Sequence, residues 1–385
     1  MNSRIGAASI TQLQITQSPN LSVLVSDFDF QLPEELVAQE PLEDRAASRM
    51  LVLDRESGRC QDEWFRSFPT HLRTGDVLVL NNSRVFSARL LGRRSGQRAQ
   101  PLSPRNPASR EFLRGQIEVL LTRQLGNDEW EALVRPGRKL GIGEMLRFGG
   151  EGDSLLEAEI VSRGEYGERR LRFASVPDFF DRLDRLGHVP LPPYISREDR
   201  NADRQRYQTV FARDHGSAAA PTAGLHFTAQ ILDEIRARGV DVVELALHVG
   251  LGTFQPLREE QVEANELHVE SYDIPLTATQ RINRALSEGR RVVAVGTTVV
   301  RALEHAGQTG SGEIRSGSGE TRIFIYPGFR FRVVSALLTN FHLPRSSLLM
   351  LVAAFAARKH VLAAYEHAVA QKYSFFSYGD CMLVE

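Results

Sequence analysis

"GQIEVLLTRQ", residues 115–124, decides between two fold classes. It is a short run rich in Val, Leu and Ile, opened by a glycine, and it has companions on both sides: "DVLVLNNS" (76–83), "SARLLGR" (87–93), "WEALVRP" (130–136), "EMLRFG" (144–149), "LLEAEIV" (155–161) and "ERRLRF" (168–173). Gly, Pro or Asn separates most of these runs, as expected of strands joined by turns. Closely spaced short strands predict a small β-barrel, placed here over residues 76–160, rather than a doubly wound sheet.

Outside this block the pattern changes. "PEELVAQE" (33–40), "FTAQILDEIRARGV" (227–240), "TATQRINRALSEGR" (277–290) and "SLLMLVAAFAARK" (347–359) carry helical apolar spacing, while "VDVVELALHV" (240–249) and "RRVVAVGTT" (290–298) suit buried strands. Alternating helix and strand predicts an α/β domain. At 385 residues the chain exceeds one ordinary core. The expected organisation is an N-terminal extension (1–24), a first α/β segment (25–75), the barrel as an insertion (76–160) and a second α/β segment (161–385).

Composition narrows the function classes. With 42% hydrophobic and 25% charged residues the chain is globular, and its two cysteines, Cys60 and Cys381, supply no thiolate cluster and no disulfide framework. A reducing, cytoplasmic setting is expected, and no run reaches the roughly 18 apolar residues of a membrane span. The apolar stretch from Ser346 has the length of a buried helix. No heptad stands out, and a monomer is expected. Net charge is −1, yet Arg84, Arg89, Arg93, Arg94, Arg98, Arg105, Arg110 and Arg114 face a single acid, Glu111. Such a run suits phosphate contacts with RNA; its alternative is a solvated loop.

Two similar loops carry histidines. "PTAGLHFT" (221–228) leads into a helix with Thr228 as its N-cap, and "HVGLGTF" (248–254) follows a strand with glycines that allow close backbone approach. "NELHVESY" (265–272) adds His268 and Glu270. His226, His248, His268 and Glu270 have zinc-ligand chemistry without the tight spacing of a helical metal motif, so general acid–base work fits better than a metal. In "VGTTVVRALEHA" (295–306) Thr297 or Thr298 is placed to cap a helix, with Arg301 one turn in. "LLTNFHLPRSSLL" (337–349) sets Asn340, His342 and Arg345 before the apolar helix. Polar groups gathered at helix starts mark the ligand edge of an open α/β sheet.

These residues also carry a resemblance. "GDVLVLNNSRV" (75–85), "GHVPLPPYI" (187–195), "GSAAAPTAGLHFT" (216–228), "HVGLGTFQP" (248–256), "VGTTVVRALE" (295–304), "LLTNFHLPRSSLLMLVAAFA" (337–356) and "YSFFSYGDCMLV" (373–384) resemble the S-adenosylmethionine:tRNA ribosyltransferase-isomerase family, in the family's order, from about residue 25 to the end. The resemblance implies an α/β domain carrying an inserted barrel. It implies transfer and isomerisation of the ribosyl moiety of S-adenosylmethionine onto 7-aminomethyl-7-deazaguanine at the wobble position of a tRNA with a GUN-type anticodon. No metal and no resident cofactor are implied, since S-adenosylmethionine is consumed. That chemistry needs at least one base and one acid. His226 and His248 are the candidates for base at C5′ and acid at the departing adenine, in either order, with Glu270 to hold an imidazole or accept a proton. Phe227 and Phe254 are candidates to stack on adenine; Thr222, Thr297, Arg301, Asn340, His342 and Arg84 are further substrate-binding candidates. Ser335 and Gln255 depart from the family pattern, and residues 97–113 form a longer barrel loop. A non-catalytic RNA-binding module and a metal-dependent hydrolase are the competing readings.

Overall fold

The computed structural model describes residues 23–94, 115–126, 128–137, 140–149, 155–164, 167–250, 257, 259–308 and 312–385. Most of the expected extension, the whole 97–113 loop, Phe254 and Gln255 therefore lie outside the described residues. The chain begins with β1 (Arg49–Leu53), β2 (Cys60–Trp64), a one-turn helix α1 (Phe68–His71), β3 (Val77–Asn81) and β4 (Ser83–Val85). The barrel follows: β5 (Arg89–Arg94), β6 (Ile117–Gln124), β7 (Glu129–Arg135), β8 (Met145–Phe148), β9 (Leu156–Arg163) and β10 (Glu168–Phe173). After it come α2 (Phe179–Leu186), α3 (Asp203–Arg206), β11 (Asp214–Ser217), α4 (Ala229–Ala237), β12 (Asp241–Leu247), β13 (Glu270–Ile274) and α5 (Leu276–Ser287). The chain closes with β14 (Val292–Val295), α6 (Thr297–Ala306), β15 (Gly317–Thr321), β16 (Ala336–Asn340), α7 (Ser347–Ala356), α8 (Arg358–Ala370) and β17 (Cys381–Val384).

The barrel is closed and antiparallel throughout, in the order β10-β7-β6-β5-β8-β9. Its strands alternate: Ile117, Val119 and Leu121 of β6 and Trp130, Ala132 and Val134 of β7 point into one core, while Glu118 and Glu131 do not. Closure leaves no free edge. The inward register position taken by Arg169 ends that core, and its guanidinium donates to the carbonyls of Leu140 (3.0 Å) and Gly137.

The expected barrel boundaries need correction at both ends. Residues 76–83 contain β3, which pairs in parallel with β12 and β14 rather than with β5, and β10 extends the barrel to Phe173. β3 is buried at all five positions, as an inner strand of the large sheet must be.

That sheet has nine strands in the order β15-β13-β12-β3-β14-β16-β17-β1-β2 and draws on chain from both sides of the barrel. Its middle, β12-β3-β14-β16, is parallel. Alternation splits each inner strand between two cores: Val77 and Val79 face the side covered by α5–α8, while Leu78 and Leu80 face the side of α1 and α4. The apolar stretch from Ser346 is the buried helix α7, N-capped by Ser346 Oγ, which accepts from Leu349 N at 3.2 Å. No single helix among the described residues is long and apolar enough to cross a membrane.

Candidate functional site

Because β12, β3, β14 and β16 run in parallel, their C-terminal ends share one edge. That edge carries Leu247–Val249, Asn81, Gly296 and Asn340, and a cavity opens there between Thr222, Gly296, Thr298, Asn340, Ser346 and Phe376. Crevices beyond the carboxyl ends of parallel strands are the ligand sites of open α/β sheets.

The start of α6 sets the cavity's character. Its N-cap is Gly296, at φ 91°, with no side chain closing the first turn. This corrects the expected caps Thr297 and Thr298, which are the first two helical residues. Only glycine adopts that φ without strain, although a Cβ would have room, its nearest neighbours being 3.6 and 3.7 Å away. The backbone N–H groups of the first turn are thus left for a ligand, beside the hydroxyls of Thr222, Thr297, Thr298 and Thr339. Asn81 braces the same corner, donating to Leu247 O (2.9 Å) and accepting from Leu247 N and Ser83 N (both 3.0 Å).

His248 continues β12 next to the lining residue Val249. The segment is held by Val249 N donating to Ser217 Oγ (3.0 Å) and Ala218 N to Val249 O (3.1 Å). Its ring lies against Gly216, where a Cβ would fall 2.9 Å from His248 Nδ1; only a glycine there leaves the imidazole its place. Nδ1 is buried and without a hydrogen bond among the described residues. Burial pushes the imidazole below its ordinary pKa, with Asp214 and Asp273 pulling the other way.

His226 is placed differently. It ends the 3-10 turn Thr222–His226 and is only 4% exposed, with Nδ1 2.7 Å from Ser48 Oγ and its ring beside Phe65. It is not among the cavity's lining residues; it borders a small depression on the other side of Ser377. Burial pushes its pKa down to about 4, opposed by the Asn340 side chain. The expected pairing of two equivalent loop histidines is therefore corrected. Neither imidazole is among the cavity's lining residues: His248 precedes the lining Val249 with its ring against Gly216, and His226 is packed against Ser48 and Phe65.

Three further expectations change. Glu270 and Arg301 form a buried ion pair (2.8 Å; side chains 4% and 6% exposed), which commits the Glu270 carboxylate to a cation and withdraws Arg301 from a substrate carboxylate. Phe227 is fully buried between Phe65, Phe68 and Phe211, so it is a core residue with no face for adenine. His342 lines the cavity but its Nε2 is taken by Thr339 Oγ (2.8 Å), and burial, aided by Arg301, pushes its pKa to about 3. Asn340 and Thr222 line the cavity. Among the described residues no group of three His, Cys, Asp or Glu side chains gathers as a metal site.

Of the arginine run, Arg89 and Arg94 are spent on Glu118 and Glu144. Arg84 and Arg93 are exposed and make no ion pair among the described residues; the other four lie outside them. Ser335 accepts from Val292 N (3.2 Å) at the start of β16, the end away from the cavity, so that departure does not touch this site. The sequence did not single out Asn81, Ser48, Tyr194, Phe376 or Ser377. "YSFFSYGD" held the signal for the last two, since Phe376 adopts φ 71°, a left-handed conformation foreign to a bulky aromatic.

Comparison with known proteins agrees with this architecture. The family model described as queuosine biosynthesis protein matches residues 25–384. A Solibacter usitatus protein named S-adenosylmethionine:tRNA ribosyltransferase-isomerase is 56% identical, the match covering 94% of this chain and 99% of the relative. A Desulforamulus reducens protein of the same name is 47% identical over 94% and 99%. The crystal structure of S-adenosylmethionine tRNA ribosyltransferase from Thermotoga maritima superposes with a TM-score of 0.51 at 37% identity, covering 94% of this chain and all of that one.

Proposed function

Because this chain belongs to the queuosine biosynthesis protein family, we propose that it transfers the ribosyl moiety of S-adenosylmethionine to 7-aminomethyl-7-deazaguanine at the tRNA wobble position. The sugar isomerises to an epoxycyclopentanediol, and adenine and methionine leave. S-adenosylmethionine is a consumed substrate, and the acceptor is a tRNA with a GUN-type anticodon.

The observation that carries this reading is the uncapped start of α6 in the cavity wall, where backbone donors and the hydroxyls of Thr222, Thr297 and Thr298 converge. A carboxylate or a ribose diol satisfies those donors, and S-adenosylmethionine carries both. The sulfonium acidifies the neighbouring C5′ proton; a base that removes it leaves an ylide that expels adenine, and the acceptor amine attacks as the neutral species. His248 is the group suited to that proton, because a depressed pKa keeps its imidazole neutral at working pH. Thr222, Thr297 and Thr298 hold the donor substrate, and Arg84 and Arg93 meet the RNA backbone.

Gly296→Val tests where the donor substrate sits. The variant forces a β-branched residue into a positive φ and should weaken S-adenosylmethionine at least about tenfold in calorimetry while the barrel and sheet stay folded. Unchanged affinity would move the ligand away from this edge.

A further inference from the structure

Behind the cavity wall runs a line of buried polar groups that the chemistry above leaves unused. Asn340 ends β16, and its Nδ2 donates to the carbonyl oxygens of Phe376 (2.9 Å) and Ser377 (3.5 Å). Those two acceptors settle which way the carboxamide is turned, so Oδ1 is the atom left over, buried and without a hydrogen bond of ordinary geometry among the described residues. His226 Nε2 is in the same condition, and the Asn340 side chain is the group that interacts with that imidazole. An amide oxygen only accepts, so an imidazole nitrogen turned to it carries the proton, and Nε2 is the ring nitrogen that Ser48, bound at Nδ1, leaves for that role. Nδ1 is then the acceptor, and Ser48 Oγ, 2.7 Å away and 2% exposed, turns its proton to it rather than to Arg45 O, the alternative acceptor at 3.4 Å. Beside Phe65, and near the Arg45 guanidinium that donates to Leu225 O, the ring has little reason to gain a proton.

What the line holds in place is the strained turn of the wall. Phe376 at φ 71° sets its ring 4.5 Å from that of Tyr194, and both rings line the cavity. The Asn340 bond to Phe376 O, with Phe376 N donating to Phe341 O (3.3 Å), keeps the turn in this conformation. We propose that Ser48 and His226 are positioning residues of the cavity: Ser48 fixes His226 as the Nε2–H tautomer, His226 fixes the Asn340 carboxamide, and Asn340 holds Phe376 in the wall. On this account His226 passes no proton to or from the substrate. The inference rests on the cavity being the S-adenosylmethionine site, and it changes what His226 does there.

The test has two independent arms. In the first, nitrogen chemical shifts of histidine-labelled protein are recorded between pH 5 and 8 without substrate. The expected result is a neutral Nε2–H imidazole for His226 across the range, with the tautomer preference lost in Ser48→Ala; an Nδ1–H tautomer, or titration within the range, overturns the proposal. In the second, adenine release is followed in folded variants. His226→Gln, which keeps a donor for Asn340, should stay within about threefold of the parent with an unchanged pH profile, while His226→Ala should fall about ten- to hundredfold, the effect of leaving a buried amide oxygen unpaired. A Gln variant as inactive as the Ala variant, or one that loses a limb of the pH profile, makes His226 a proton-transfer group and sinks the proposal. A parent protein that releases no adenine would count against the proposed reaction alone, and the tautomer measurement would then decide this inference by itself.

Discussion

His248→Ala is expected to lower turnover by about 10²–10⁴-fold, the usual contribution of a positioned acid or base, with the melting temperature nearly unchanged. The residue is half-buried and next in the chain to the cavity-lining Val249, its Nδ1 has no hydrogen bond to lose among the described residues, and the backbone bonds around it do not use the side chain. The pH dependence follows from the direction of its shift. Burial lowers the imidazole pKa below 6.5, so the base form persists into mildly acidic solution and the rate should fall only below that point. The acidic limb should vanish in the variant. Steady-state rates of adenine release at a series of pH values check this; a variant within a few-fold of the parent at every pH would remove His248 from the chemistry.

Glu270→Ala should act through stability instead. Glu270 and Arg301 pair at 2.8 Å with almost no solvent, and removing one partner of such a pair strands the other charge, which costs about 3–5 kcal/mol. Arg301 also sits close enough to His342 to depress its pKa, so a stranded guanidinium disturbs the cavity wall as well. The double variant Glu270→Leu/Arg301→Met, which leaves neither charge behind, should recover most of the lost stability. Thermal and denaturant unfolding of the three proteins provides the measurement. Full stability in Glu270→Ala with activity abolished would return Glu270 to the proton chemistry assigned to it from sequence.

The contrast between the two histidines shows where sequence alone stops. His226 and His248 sit in loops of the same local kind, small residues and glycine around an imidazole. They are told apart by contacts from distant chain: Ser48, 178 residues before His226, and Gly216 against His248. The barrel was legible because its strands follow one another and pair mostly with near neighbours, as in the β6–β7 ladder. β3 was misplaced for the opposite reason, since it abuts the barrel in sequence yet pairs with β12, more than 160 residues on. Thr228 as an N-cap was readable locally, whereas Gly296 displaced the expected threonine caps through a single backbone angle. Phe227 looked like a stacking residue beside a site histidine, but its surroundings Phe65, Phe68 and Phe211 come from two other stretches of the chain.

The most direct test of the central claim is to incubate the purified, chelator-treated protein with S-adenosylmethionine and a tRNA anticodon stem-loop bearing 7-aminomethyl-7-deazaguanine, measuring free adenine and RNA mass in the same samples. Adenine released in step with an RNA heavier by the transferred sugar is the predicted result. RNA that binds but keeps its mass, with no adenine formed, would contradict it and leave the chain a binding protein.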